Sequence, residues 1–437
     1  MAKAKKINSL KAFKFVEELA GVQEFAHKRN GLRILIWRDK SAPVVALNVT
    51  YLVGSRNEAG GYTGSTHLLE HLMFKGSKKF NKETGKLIDK IVFGMGAKSN
   101  ASTWFDRTNY WELFPKVRLS ELMALEADRM RGAILDESDR KSEMTVVRNE
   151  LERYDNNPSE ALEIEVWATA FREHPYHHPT IGWRSDVENV SIERLRYFYN
   201  DFYWPNNAYL TVAGDVEIEE VLRLTDRYFG KVKRSTNAIP PMYTTEPVQE
   251  GPRRVTVSRA GELPVLMVAH KVPQALAGDT PALEILAGVL GKGKSSRLYR
   301  ALVDTGLATS ITSRNMAFHD CGLFITIVQI VPGKNIEEIE KLVLAEYQRI
   351  IEVGITGEEL EREKYNATVE QAFAKDGPLG LVSIINEAVA IGDWRIAMRY
   401  ADLIDKVKGE SVQFVAGKYL LATASTTGHF IPKQLKQ

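Results

Sequence analysis

His67, Glu70 and His71 stand within five residues, inside the run GSTHLLEHLMFKGS. On a helix, positions four apart lie one turn apart on a single face, so both imidazoles can reach one ion. Glu70, three residues after His67, stands beside the same point. Imidazole suits zinc. A catalytic zinc takes three protein ligands and leaves its fourth position to water, so one further ligand has to come from elsewhere in the chain. A carboxylate that does not ligate can take the proton of that water as general base. The bland alternative is a helix with two core or solvated histidines; with only 9 His in 437 residues, this close grouping argues against it.

The elements that must position these groups can be read around them. GLRILIWRD and APVVALNVTYLVGS are two β-branched runs flanking Asp39–Pro43, read as strands joined in a hairpin. A Gly-rich loop from Glu58 to Gly64 leads to Ser65 or Thr66 as N-cap of the histidine helix, and Gly76 stops it. An amphipathic helix is predicted over Lys82–Val92. KSNASTWFDRTNYWELFP then favours strands, and SELMALEADRMRGAI shows helical spacing.

DRKSEMTVVRNELERY predicts a helix from about Asp139 to Tyr154. Glu143 and Glu150 lie two turns apart on one face with Val147 between them, and either one is a candidate third ligand.

At 437 residues the chain is too long for one ordinary core and suggests two or three domains. Its 44% hydrophobic and 26% charged content is that of a soluble globular protein. A net charge of +2 gives no reason to expect nucleic acid or an anionic membrane surface. The single cysteine, Cys321, rules out an internal disulfide framework. No run of 18 apolar residues predicts a transmembrane segment. The N-terminus MAKAKKINSLKAFKF has no signal-like apolar region, so the expected location is the cytoplasm, or the periplasm if a signal has already been removed.

These motifs together resemble the pitrilysin/insulysin family of inverted-motif (inverzincin) zinc peptidases. The likeness is greatest to its roughly 50-kDa branch, which includes mitochondrial processing peptidase and its bacterial relatives. There HxxEH is followed by a helix of the form E-x-x-V-V-x-x-E, which stands here as Glu143 to Glu150. The resemblance implies one Zn²⁺ per chain held by His67, His71 and Glu150, with Glu70 as general base and Glu143 supporting the site. It also implies that Lys98, Ser99, Asn100, Ala101, Ser102 and Thr103 form an exposed edge strand that binds peptide substrate. HPYHHPTIGWRSDVENVS fits the family's first domain, so His174, His177 and His178 are expected to be structural. The implied fold is α+β: two homologous domains, each a mainly antiparallel sheet covered by helices.

Arg234 to Arg254 holds four prolines and no periodicity. It reads as a linker (234–254) between an N-terminal zinc domain (1–233) and a C-terminal homologous domain (255–437). In the second half TPALEILAGVLGKGKSS stands for the histidine-helix segment, with Glu284, Ala287 and Gly288 opposite His67, Glu70 and His71, so this copy has lost the ligands. Active relatives carry an Arg and a Tyr at the start of the second domain that hold the substrate carbonyl. Here Val303 and Thr309 take those places, while Arg297 and Tyr299 belong to a structural position. Neither Val303 nor Thr309 can donate as Arg or Tyr would. The expectation is a zinc endopeptidase subunit completed by a related partner chain carrying the Arg/Tyr pair. A heterodimer is expected ahead of a homodimer, which would have two zinc sites and no pair. The alternatives are a non-catalytic scaffold of the same fold and a peptide-binding module with structural zinc.

Overall fold

A computed structural model describes residues 11–433. The basic residues 1–10, part of the N-terminal stretch read for a signal, lie outside the described residues. The chain forms two compact units, each discontinuous in sequence. One runs to Arg148 and adds Thr180–Tyr243 and Ala372–Met398; the other combines Asn149–Pro179, Thr244–Gln371 and the chain from Arg399 on. The first division falls inside one continuous helix, Glu137–Asn156, which contains the expected Asp139–Tyr154 span.

The first unit is built on seven strands: β1 (Phe13–Leu19), β2 (Val22–His27), β3 (Arg33–Arg38), β4 (Val44–Tyr51), β5 (Lys98–Thr103), β6 (Thr108–Pro115) and β7 (Ala208–Gly214). Their order is β1-β2-β3-β7-β4-β6-β5, antiparallel except for the β3/β7 pair. In β4 every residue after Val44 is buried, so both faces of the sheet are covered there. One cover is the helix Gly377–Ala390: Leu381, Val382, Ile385 and Val389 pack with Val22, Leu35, Ala46 and Ala213.

Two local readings are corrected. β3 and β4 do not form a hairpin, because β7 lies between them. Asp39–Pro43 has only to step across two strand spacings, roughly 10 Å, which five residues span easily. A strand buried on both faces also carries no alternation to reveal its neighbour. The helix predicted over Lys82–Val92 is Ile88–Gly94. Its first part is a turn: Asn81 Oδ1 accepts from the Thr84 N–H (2.9 Å), and Asn81 Nδ2 donates to the Ser77 carbonyl (2.8 Å). These local side-chain bonds compete with helix.

The second unit has five strands: β8 (Arg253–Ala260), β9 (Val265–Val272), β10 (Ala308–Met316), β11 (Gly322–Ile330) and β12 (Ser425–Lys433). Their order is β10-β11-β9-β12-β8, with only β12/β8 parallel. Its core joins Leu266, Val268 and Phe324 of the sheet to the helices Thr280–Gly291, Ile336–Val353 and Gly409–Tyr419. The helix Pro158–Ala170 packs on β12, β8 and β9. It comes so close that a Cβ at Gly428 would stand 2.4 Å from Val166 Cγ2. Both sheets are thus mainly antiparallel with flanking helices, an α+β architecture.

The proline-rich stretch has no helix or strand until Arg253, yet it is pinned. Within the first unit the Ser235 N–H donates to Asn206 Oδ1 (2.8 Å). Within the second, the buried Glu246 accepts from the N–H groups of Arg172, Glu173 and His174 and from Lys271 Nζ.

Candidate metal centre

The helix Ser65–Leu72 presents His67 and His71, and what starts it is neither Ser65 nor Thr66. Gly64 is the N-cap, in the left-handed region at φ +81°, and a Cβ there would lie 2.4 Å from the Ile181 carbonyl oxygen. The capping acceptor comes from six residues upstream. Glu58 Oε2 accepts from the Gly64 N–H (2.7 Å) and Oε1 from the Thr66 N–H (2.6 Å), meeting donors that a helix N-terminus leaves unpaired. Glu58 is buried, and burial pushes its carboxyl up to about 8 against the opposing pull of the Thr66 and Gly64 bonds. Asp186 holds the loop just before, accepting from the Thr63 hydroxyl (2.8 Å) and the N–H groups of Thr63 (3.1 Å) and Gly61 (3.0 Å).

The His67 and His71 rings lie 4.7 Å apart, centroid to centroid. Glu150, on the helix Glu137–Asn156, completes a group in which one donor atom from each residue lies within 4.8 Å of the others. Among the described residues this is the one such group of three or more. Tetrahedral zinc with bonds near 2.0–2.1 Å sets donor atoms roughly 3.3 Å apart. Small side-chain rotations close the observed spread, so the residues fit the ion. Met144, Val147 and Leu151 are buried on the same helix and fix the face that carries Glu143 and Glu150. Burial, followed by the neighbouring His71, lowers His67 to about 3, which keeps its imidazole neutral as a ligand must be.

Glu143 sits one turn pair away from Glu150, between two cationic or donor groups. Its Oε2 is 3.0 Å from His71 Nδ1, and Oε1 pairs with Lys75 Nζ. Burial opposes its ionisation, but the bonds from Lys75 and His71 outweigh it and hold the carboxyl below the usual range. A carboxylate on Nδ1 fixes the tautomer that leaves His71 Nε2 to ligate. Glu70 is nearly buried and accepts a 2.5 Å hydrogen bond from the Thr103 hydroxyl. Thr103 ends β5, and β5 is the edge of its sheet, bonded to β6 alone. All six residues Lys98 to Thr103 therefore lie on this edge, which runs up to Glu70.

Sequence reasoning missed Glu58, Asp186, Lys75 and the Thr103–Glu70 bond. The one signal for Glu58 was a lone acidic group opening a Gly-rich loop ahead of a helix. His174 is buried, with Nε2 3.0 Å from Asp320 Oδ2 and Nδ1 accepting from the Tyr176 N–H. In the second unit Gly288, aligned with His71, is packed against Glu363: a Cβ would stand 2.5 Å from Glu363 Oε2. Glu284, aligned with His67, accepts from Asn315 Nδ2 (2.9 Å) and is pushed by burial up to about 7. Val303 packs against the unit's core, and the Thr309 hydroxyl donates to the Gln329 carbonyl (3.3 Å). Arg297 forks onto Glu359 with two 2.7 Å bonds.

Two mainly antiparallel sheets with flanking helices, and an HxxEH helix facing a carboxylate helix, define the two-domain zinc-protease class. The family model of the insulinases (peptidase family M16) matches residues 33–183, and that of the M16 inactive domain matches residues 189–366. The chain belongs to the insulinase (M16) family. It is 33% identical over 404 residues to the zinc protease PqqE of Helicobacter pylori, spanning 91% of this chain and 90% of that one. It is 24% identical to the uncharacterized zinc protease YmxG of Bacillus subtilis, over 92% and 98% of the two chains. The crystal structure of a protease from Helicobacter pylori superposes with a TM-score of 0.90 at 32% identity, covering 95% of this chain and all of that one. The periplasmic protease PqqL of Escherichia coli shares the fold, with a TM-score of 0.75 at 18% identity; the match covers 96% of this chain and 48% of that chain. No helix among the described residues is long and apolar enough to cross a membrane.

Proposed function

We propose that this chain is the catalytic subunit of a zinc endopeptidase acting on peptides or unfolded segments held in an enclosed chamber. The observation that carries this reading is the convergence of His67, His71 and Glu150 on one point, with Glu70 on the same helix. His67, His71 and Glu150 hold one Zn²⁺, and Glu143 orients His71. When bound, the ion supplies Lewis acidity toward a peptide carbonyl and makes water a better acid. Glu70, held by Thr103, takes the proton of the attacking water and passes it to the leaving amine. The edge strand β5 takes the substrate as an added strand, main chain to main chain.

The Arg and Tyr places hold Val303 and Thr309, so the groups that polarise the carbonyl come from a related partner subunit. The match to about half of the longer PqqL chain supports the view that this chain is half of an enclosing assembly. We further propose that residues 1–233 and 255–437 are two copies of one domain joined by the linker 234–254, the second without ligands. The inactive-domain match at 189–366 lies outside the metal group. The same match keeps a non-catalytic scaffold as the second reading. A module with purely structural zinc would need a closed set of four protein ligands, and the group has three. The protein is taken as soluble, in the cytoplasm or, with a signal removed, the periplasm. Metal analysis with a peptidase assay, on the chain alone and with candidate partners, tests the reading: one zinc and metal-dependent cleavage are expected, and full zinc with no cleavage under any pairing favours the scaffold.

A further inference from the structure

Beside the edge strand runs a polar network, buried except at its Glu387 end, that the proposed chemistry does not use. Arg107, in the turn between β5 and β6, is 8% exposed. Its Nη1 donates to the Ser102 carbonyl (3.0 Å), the Ser102 hydroxyl (2.6 Å) and Asn109 Oδ1 (2.9 Å). On its other side Nε and Nη2 both donate to Glu387 Oε1 (3.1 and 2.6 Å), on the helix Gly377–Ala390. The acceptors are themselves fixed. Asn109 Nδ2 donates to Asn48 Oδ1 (2.7 Å), Thr50 Oγ1 donates to Asn386 Oδ1 (2.7 Å), and Asn386 Nδ2 donates to Glu387 Oε1 (3.0 Å). Asn48, Thr50, Asn109 and Asn386 are all buried. The Glu387 side of the fork is open to water (56% exposed), but Arg107 and Asn109 are buried, and leaving the buried acceptors on the Ser102 and Asn109 side unmet is costly.

The strand register gives this clamp a consequence. The Trp104 N–H donates to the Arg107 carbonyl (2.9 Å), and Thr103 and Ser102 lie opposite Thr108 and Asn109. Hydrogen-bonded and non-bonded pairs alternate along an antiparallel ladder. Ser102 therefore faces β6 with its backbone groups, while Ala101 and Thr103 turn theirs to the open edge. The Ala101 N–H, 2.9 Å from Asn100 Oδ1, agrees with this. Ser102 is thus the residue between the two that offer main-chain groups to an added strand, and Thr103 is the one whose hydroxyl holds Glu70.

We propose that Arg107 is the positioning residue of the substrate-binding edge: braced by Glu387 and Asn109, it locks Ser102 and so sets the register in which Ala101 and Thr103 meet a peptide. This rests on the peptidase reading for what docks there, but the locking of the strand does not. The test uses the zinc-loaded full chain and its Arg107→Met and Arg107→Lys variants. Amide exchange over Lys98–Thr103 should speed up about tenfold or more in Arg107→Met, with β2, β3 and the zinc content unchanged. Arg107→Lys, which keeps the charge but loses the fork, should fall between. In the peptidase assay, KM for several unrelated peptides should rise about tenfold with kcat within about threefold. Unchanged exchange over β5, an equal rise across the whole sheet, or a loss confined to kcat overturns the proposal. If the wild-type chain cleaves nothing, alone or with any candidate partner, the peptidase reading fails, and the exchange contrast still decides the role of Arg107.

Discussion

Removing one imidazole from a three-donor set leaves too few ligands to hold the ion at ordinary concentrations. His67→Ala and His71→Ala should therefore lose the metal, as read by metal analysis of the purified protein; full zinc in either variant would refute the ligand assignment. Glu70→Gln keeps size and the Thr103 contact but cannot accept a proton, so zinc should stay while turnover is abolished. Glu143→Gln weakens the hold on His71 and Lys75 rather than removing a donor. About 10- to 100-fold loss of zinc affinity is expected, measured by competition with a chelator. Glu58 gives a prediction in pH. Its folded-state value, raised to about 8, lies above the usual 4.5 of a free carboxyl, so the folded state holds this proton more tightly than the unfolded state. The stability it contributes is present below pH 4.5 and is lost as pH rises towards 8. Denaturant unfolding at pH 5 and pH 8 should show this slope, and Glu58→Gln should flatten it. That variant should also lose about 1 kcal/mol, because an amide nitrogen cannot accept from the helix N–H groups.

An edge strand recognises main chain rather than side chains, so damage to it should be indifferent to peptide sequence. Ala101→Pro removes an N–H that alternation turns to the open edge, and it should raise Kd for many unrelated peptides alike. An effect on a single peptide would contradict main-chain docking. Much at this scale was legible beforehand. The histidine pair, the carboxylate helix and the strand run from Lys98 each carry a local pattern, and the structure gives each its element. What was not legible depended on distant partners. β7 enters between β3 and β4 from more than 150 residues downstream. The capping acceptor expected of Ser65 or Thr66 is supplied by Glu58, whose carboxyl group reaches across a loop that ends in a left-handed Gly64. The helix predicted from Lys82 starts late because Asn81 and Thr84 bond to their own backbone. Arg107 reads as a turn residue in sequence, and nothing near it announces Glu387, 280 positions away.

For the whole molecule, the expected behaviour is that of half an enzyme. The purified chain should bind zinc but cleave peptides poorly, since losing oxyanion stabilisation typically costs about 10²- to 10³-fold in rate. A related chain that carries the Arg/Tyr pair should restore activity, and native mass spectrometry of the mixture should show one copy of each. Full activity of the lone chain, with Val303 and Thr309 in place, would overturn the heterodimer. The way each sheet acquires its second cover bears on how the protein is made. The first sheet waits for Gly377–Ala390 before Val22, Leu35, Ala46 and Ala213 are shielded from water. A nascent chain emerging from the ribosome therefore carries that apolar face uncovered through most of its synthesis, a period in which a chaperone is its natural lodger. A product ending near residue 233 would keep the face bare for good, and premature termination before Gly377–Ala390 is made should yield aggregate rather than a working metal-binding fragment.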